Sequence, residues 1–284
     1  DTTISRWLRQ LGFSSQYIEN FVAPFYGGIT LDRSLSTSRT IFEYTFGMLA
    51  SGATVVPADG MEAIPRQLAT EARAAGATIT TDTPVDAVDA DDCGVTVRLD
   101  DGHVEADATI VATGPQSITD LIDIDSVSAD TLGCVTQYYA LPSGKSLGVD
   151  RRIVLNAEDA TPNHIVPHSA VAPEYAPPDR RLISATFIGD RSEANDELAA
   201  ATRTALSEWF PEQRFDADNV EVLETYRIDH AQFAQPPEFR RELPSVDAPA
   251  GRCYLAGDIT EWSSIQGAMS SGRKAAQMVY RDLE

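Results

Sequence analysis

The stretch from Cys253 to Tyr280, CYLAGDITEWSSIQGAMSSGRKAAQMVY, constrains the fold most. Cys253-Tyr254-Leu255-Ala256 reads as a short buried strand, ended by Gly257-Asp258. A polar loop from Ile259 to Ser264 follows, and Ile265-Gln266-Gly267-Ala268 opens a helix that runs to about Arg281. Gly267, Ala268, Ser271, Gly272, Ala275 and Ala276 recur three or four apart, which gathers them on one helix face. So small a face admits another backbone or a flat ligand. An Asp that ends a strand just before a helix N-terminus, with its partial positive charge and unpaired N–H groups, suits a cofactor hydroxyl or a phosphate-linked group. The same pattern also fits a helix packed on a sheet, with Asp258 a plain turn residue.

The order Ala256-Gly257-Asp258, Ser264-Ile265, Gly267-Ala268, Ser271-Gly272, Ala275-Ala276 resembles the closing motif of the flavin-containing amine oxidases, phytoene desaturases and protoporphyrinogen oxidases. The resemblance implies that Asp258, beside Gly257, contacts the ribityl–pyrophosphate part of FAD. It also implies that the helix entry at Ser264, Ile265, Gly267 and Ala268 lies near the pyrimidine edge of the flavin. Pro24-Phe25-Tyr26-Gly27-Gly28 and Leu35-Ser36-Thr37-Ser38 resemble the segment that lines the substrate side of the flavin in desaturase-like relatives.

Residues 53–115 alternate strand and helix. Thr54 to Pro57 and Ala77 to Thr81 read as short strands around a helix from Glu62 to Ala75, which Gly76 closes. Pro84 to Val88, Val95 to Leu99 and His103 to Ala106 read as further strands, the last two joined by a turn at Asp100-Asp101-Gly102. Ala108 to Ala112 is an apolar run before Thr113-Gly114-Pro115, as in a buried parallel strand. The series resembles the second FAD-binding segment of the same superfamily, which implies cofactor contacts at Pro57, Gly60, Val85 and Gly114.

Residues 1–52 read as helical, with helix stops at Gly12 and Gly52 and a cap at Ser36 to Ser38. Residues 116–215 read as a mostly antiparallel sheet with a helix from Ser192-Glu193 to Phe210. The expected fold is therefore α/β, α+β overall: a Rossmann-like FAD/NAD(P)-binding lobe at 53–115 and 216–284, and a substrate lobe at 116–215 with its helical part at 1–52. Strand 252–256 is expected beside strand 108–112. No Gly-x-Gly-x-x-Gly turn occurs anywhere, so the superfamily's first βαβ unit is expected to lie outside these residues. FAD is expected in the intact protein, with weak binding or none by this stretch alone and an open strand edge that favours a homodimer.

Charge narrows the partners. The 284 residues carry a net charge of -21, and only Lys145 and Lys274 are lysine. Phosphate recognition needs a basic surface, which argues against nucleic acid. An acidic, lysine-poor surface is what a protein of a salt-rich cytoplasm carries. No run approaches the ~20 apolar residues of a membrane span, which leaves peripheral membrane contact open. Cys93, Cys134 and Cys253 lack metal-ligand spacing and suit a reducing compartment. Pro167 interrupts any helix that would pair His164 with His168, so no metal site is assigned. No nucleophile set or acid–base carboxylate pair identifies a catalytic residue. Tyr26, Phe46, Tyr138 and Trp262 are available to shape a substrate site, although core packing is the better account of each.

The resemblance implies an FAD-dependent oxidoreductase that takes a hydride from an apolar or amine substrate. Its alternatives are a flavin-dependent polyene isomerase without net redox change, and a non-catalytic flavin-fold binding protein.

Overall fold

A computed structural model describes residues 1–124, 130–159, 161–216 and 219–284. Its contacts divide the chain into two units, one of residues 1–77 with 131–237, the other of 78–130 with 238–284.

The first unit opens with helices α1 (Ile4–Gln10), α2 (Ser15–Tyr17), α3 (Ala23–Thr30) and α4 (Arg39–Ser51). A single wide helical turn, Ile18–Val22, joins α2 to α3. Thr3, Ser14 and Ser38 cap α1, α2 and α4 by accepting first-turn N–H groups, which satisfies donors that no helix can pair internally. Gly12 follows α1 at φ +89, a left-handed stop that favours glycine. Ile4, Leu8, Ile18, Val22, Tyr26 and Leu35 form the helical core. Helix α5 (Ala63–Ala74) ends before Gly76, again at positive φ.

The sheet of this unit runs β6-β7-β8-β5-β9, antiparallel at every pairing. Its strands are β5 (Thr131–Pro142), β6 (Val154–Leu155), β7 (His164–Val166), β8 (Arg180–Ile188) and β9 (Glu221–Phe233). Alternation along β5 sends Val135, Tyr139 and Leu141 to one face. There they pack with Leu198, Ala199 and Leu206 of α8 (Asn195–Trp209), as the period of two demands. Helix α8 starts where Glu197 reaches back to accept the Ala194 N–H at 2.8 Å, two residues past the expected Glu193. The short helix α7 (His168–Val171) follows β7.

The second unit contains an antiparallel meander of β1 (Val85–Ala90), β2 (Val95–Leu99) and β3 (Gly102–Ala106). It also contains a parallel pair of β4 (Thr109–Val111) and β10 (Cys253–Leu255), in register Cys253 to Thr109 and Leu255 to Val111. This is the pairing expected from two short apolar runs that each end at Gly. Helix α6 (Pro115–Leu121) leaves β4, and α9 (Ile265–Leu283) closes the chain. Tyr254, Ala256 and Ala275 form a small core with Val246.

Two expectations are corrected. Residues 54–57 and 77–81 form no strand. They are apolar enough, but no described strand lies alongside to take their backbone hydrogen bonds; Val55 is 81% exposed. Residues 53–77 and 216–237 also fall in the first unit rather than with 78–115 and 238–284, and residues 116–124, expected in the substrate lobe, fall in the second. The reason for the second of these segments is that β9 pairs along β5 from Thr131–Phe233 to Ala140–Glu221. No helix among the described residues is long and apolar enough to cross a membrane.

Candidate functional site

In the second unit, β4 and β10 run parallel, so the chain leaves both at the same edge. Gly257 ends β10 with φ 138 and ψ 170, a conformation nearly restricted to glycine. Its N–H donates to Ser271 Oγ at 3.0 Å, which ties the strand end to α9. Ser271 Oγ also pairs with Thr260 Oγ1 at 2.6 Å. Asp258 follows, and its carboxylate accepts from the Ser263 hydroxyl at 3.0 Å. Ser264 caps α9 by accepting the Gly267 N–H at 2.8 Å. The amides of Ile265 and Gln266 occupy the first turn, where no carbonyl of the helix can reach them.

Gly267 is fixed by packing. A Cβ there would stand 2.1 Å from the Trp262 carbonyl oxygen, so the loop between Asp258 and Ser264 closes onto α9 only over a hydrogen. The small residues of α9 split into two rows. Gly267, Ser271 and Ala275 are buried. Ala268 and Ala276 are exposed, with Ile265 (49%) and Met269 (50%) beside Ala268. Gly114, at the end of β4, has an ordinary φ of -64. A side chain there would meet only the end of Gln116, 4.0 Å away. Neither its conformation nor its packing calls for glycine, and the space stays open to a ligand.

The structure thus brings Gly114, Gly257, Asp258, Ser264, Ile265, Gly267 and Ala268 into one unit around the parallel pair. Val85 lies in the same unit at the start of β1, exposed. Pro57 and Gly60 belong to the other unit. There the Pro57 carbonyl accepts from the Tyr175 hydroxyl, and Gly60 turns the chain at φ +82 before α5.

Sequence reasoning singled out Tyr138 but missed the polar face of the first unit to which it belongs. The side of the sheet away from α8 carries Thr136 and Tyr138 of β5, Ser184 and Thr186 of β8, His164 of β7 and Tyr226 of β9. Thr136 pairs with Thr186 and Tyr226, and Thr186 with His164, in the strand register. Tyr138 stacks on His168 at 5.6 Å and meets the edge of Tyr226 at 5.9 Å. His168 Nε2 pairs with Ser184 Oγ at 2.8 Å.

Asn163 fixes the state of His164. Its Oδ1 accepts from the Arg33 guanidinium at 3.2 Å, a group that can only donate. Its Nδ2 therefore faces the Pro24 carbonyl (3.1 Å) and His164 Nδ1 (2.9 Å) and donates to both. His164 Nδ1 is then the acceptor, and the ring proton sits on Nε2. Protonation would set N–H against N–H; with burial first and neighbouring His168 second, the pKa falls to about 4. The pair Gly27-Gly28 explains itself here. A Cβ on Gly28 would lie 3.2 Å from both Asn163 Nδ2 and His164 Nδ1, and one on Gly27 would lie 2.8 Å from Arg33 Cγ. The signal in the sequence was the Gly-Gly pair, but the partners of Gly28, Asn163 and His164, lie about 135 residues downstream and no local pattern links them.

A family model described as flavin containing amine oxidoreductase matches residues 3–280. No curated protein matches. Among solved structures, an oxidoreductase from Methanosarcina mazei is similar at 18% identity and a TM-score of 0.76, over 98% of this chain and 68% of that one. Cyclohexylamine oxidase from Brevibacterium oxydans is similar at 19% and 0.53, over 70% of this chain and 48% of that one. Putrescine oxidase bound to putrescine is similar at 17% and 0.57, over 78% and 53%. The chain therefore spans between about half and two thirds of these proteins, and at such identity the likeness is one of fold.

Proposed function

The chain belongs to the family of flavin-containing amine oxidoreductases, whose cofactor is FAD, and from that premise we propose that it works as an FAD-dependent oxidoreductase on an apolar or amine substrate. In this reading the second unit holds the cofactor through Asp258, Gly114 and the open end of α9. The observation that carries it is the pairing of a carboxylate with a capped but open helix N-terminus at the end of a parallel strand, where open α/β sheets bind their ligands.

The residues present fit a flavin. The Asp258 carboxylate has acceptor capacity beyond the Ser263 hydroxyl for a ribityl hydroxyl. Gly114 leaves room for close approach. Ile265 and Ala268 offer an exposed apolar edge beside first-turn N–H groups suited to negative charge. Bound FAD supplies the two-electron acceptor; the protein binds, orients and tunes. The amides of Ile265 and Gln266 would favour charge that grows at the ring on reduction.

The experiment is anaerobic mixing of the FAD-loaded protein with apolar and amine substrates. Loss of the oxidised-flavin absorbance with one of them is the expected result. Product formation with the flavin oxidised throughout, or no reaction with either class, would overturn the proposal.

A further inference from the structure

Asp258 follows directly on a glycine, the residue whose backbone is restrained least. Gly257 stands at φ 138 and ψ 170, and its own preferences do not fix the direction in which the chain carries the next residue. Its surroundings do. The Gly257 N–H donates to Ser271 Oγ at 3.0 Å. The Gly257 carbonyl accepts from the Thr260 hydroxyl and from the Thr260 N–H, both at 3.3 Å. Thr260 Oγ1 and Ser271 Oγ lie 2.6 Å apart. Both polar backbone groups of the glycine are thus held by two hydroxyls that also hold each other.

The direction of the hydroxyl pair follows from counting hydrogens. Each hydroxyl has one to give, an amide N–H only donates and a carbonyl only accepts. Thr260 gives its hydrogen to the Gly257 carbonyl. Ser271 is fully buried, and a hydrogen turned away from Thr260 Oγ1 would be left there without an acceptor, which costs free energy. The bonds therefore run one way round: Gly257 N–H to Ser271, Ser271 to Thr260, Thr260 to the Gly257 carbonyl. Such a circuit is cooperative, since each bond polarises the next. The same face of α9 ties the loop at two further points, one turn to each side of Ser271. Gly267 lies against the Trp262 carbonyl, and Lys274 bonds Glu261.

We propose that Thr260 and Ser271 are positioning residues for the cofactor: through the circuit they fix Gly257, and with it the direction of the Asp258 carboxylate. The proposal rests on the reading of Asp258 as a ligand of FAD, and both residues act on the flavin only through Asp258. A carboxylate carried by an unrestrained glycine would have to be ordered whenever FAD binds, and that ordering subtracts from affinity. The circuit orders it beforehand. It also accounts for the pair of hydroxyls behind the strand end, which the contact between Asp258 and the cofactor does not itself require.

The test is titration of the intact protein with FAD, followed by flavin fluorescence, in a double-mutant cycle between residues 260 and 258. Thr260→Val keeps the branched shape and removes the hydroxyl, and the dissociation constant is expected to rise roughly tenfold. Thr260→Ser keeps the hydroxyl and is expected to stay within about twofold of the wild type. Ser271→Ala opens the circuit from the side of α9 with a good helix former, and is expected to weaken binding as Thr260→Val does. In the Asp258→Ala background, Thr260→Val is expected to change the affinity little, because the group it positions is gone. Wild-type affinity in Thr260→Val and Ser271→Ala, equal losses in Thr260→Val and Thr260→Ser, or full additivity with Asp258→Ala would each overturn the positioning role alone. Absence of FAD binding by the wild type, or equal affinity in the wild type and Asp258→Ala, would overturn the flavin reading and the proposal with it.

Discussion

At the scale of single residues, the His164 ring gives the sharpest pH prediction. Its folded pKa of about 4 lies below the ordinary 6.5. Between these values the unfolded chain binds the proton and the folded chain does not, so stability falls as pH drops from 6.5 to 4 and is level above 6.5. The full effect is about 3 kcal/mol, from roughly 1.4 kcal/mol per pKa unit. The buried His168, also depressed, adds in the same direction. Melting temperature at pH 7 and pH 5 should differ less in His164→Gln than in the wild type. An equal difference would mean that His164 does not carry the effect. Gly267→Ala makes a second prediction, because its new Cβ would collide with the Trp262 carbonyl. Overpacking of this kind costs about 1–3 kcal/mol, read as a shift in the denaturation midpoint; a shift near zero would show that the loop yields freely.

At the scale of elements, Ser264 decides the start of α9. Ser264→Ala removes the acceptor of the Gly267 N–H and should cost about 1 kcal/mol. Hydrogen exchange should quicken at Gly267 ahead of residues beyond Ser271, and uniform protection along α9 would contradict the cap. The ends of α9, the parallel pair at residues 253–255 and 109–111, and the helix stops at Gly12 and Gly76 were legible in the sequence. Each follows from local chemistry: a cap, a positive φ, a short apolar run before glycine. The position of Asp258 between β10 and α9 was legible through the closing motif. What was not legible depends on neighbours distant in sequence. Residues 54–57 have strand composition but no described strand beside them. The small-residue stripe of α9 read as one face yet divides into a buried and an exposed row. The tautomer of His164 follows from Arg33 acting through Asn163.

At the scale of the whole molecule, the charge of -21 predicts salt dependence. Self-repulsion acts over roughly 30 Å at 0.01 M salt and ~3 Å at 1 M. Melting temperature should therefore rise with KCl toward molar concentration, as the sequence expectation of a salt-rich setting requires. A flat curve would remove that expectation.

The central claim is that Asp258 and the entry to α9 hold the flavin. Titration of the intact protein with FAD, followed by flavin fluorescence in the wild type and in Asp258→Ala, tests it most directly. A charged hydrogen bond contributes about 1.5–3 kcal/mol, so the dissociation constant should rise roughly ten- to hundredfold in the variant while the melting temperature of the flavin-free protein stays near that of the wild type. Equal FAD affinity in the two proteins would contradict the claim and leave Asp258 a turn residue.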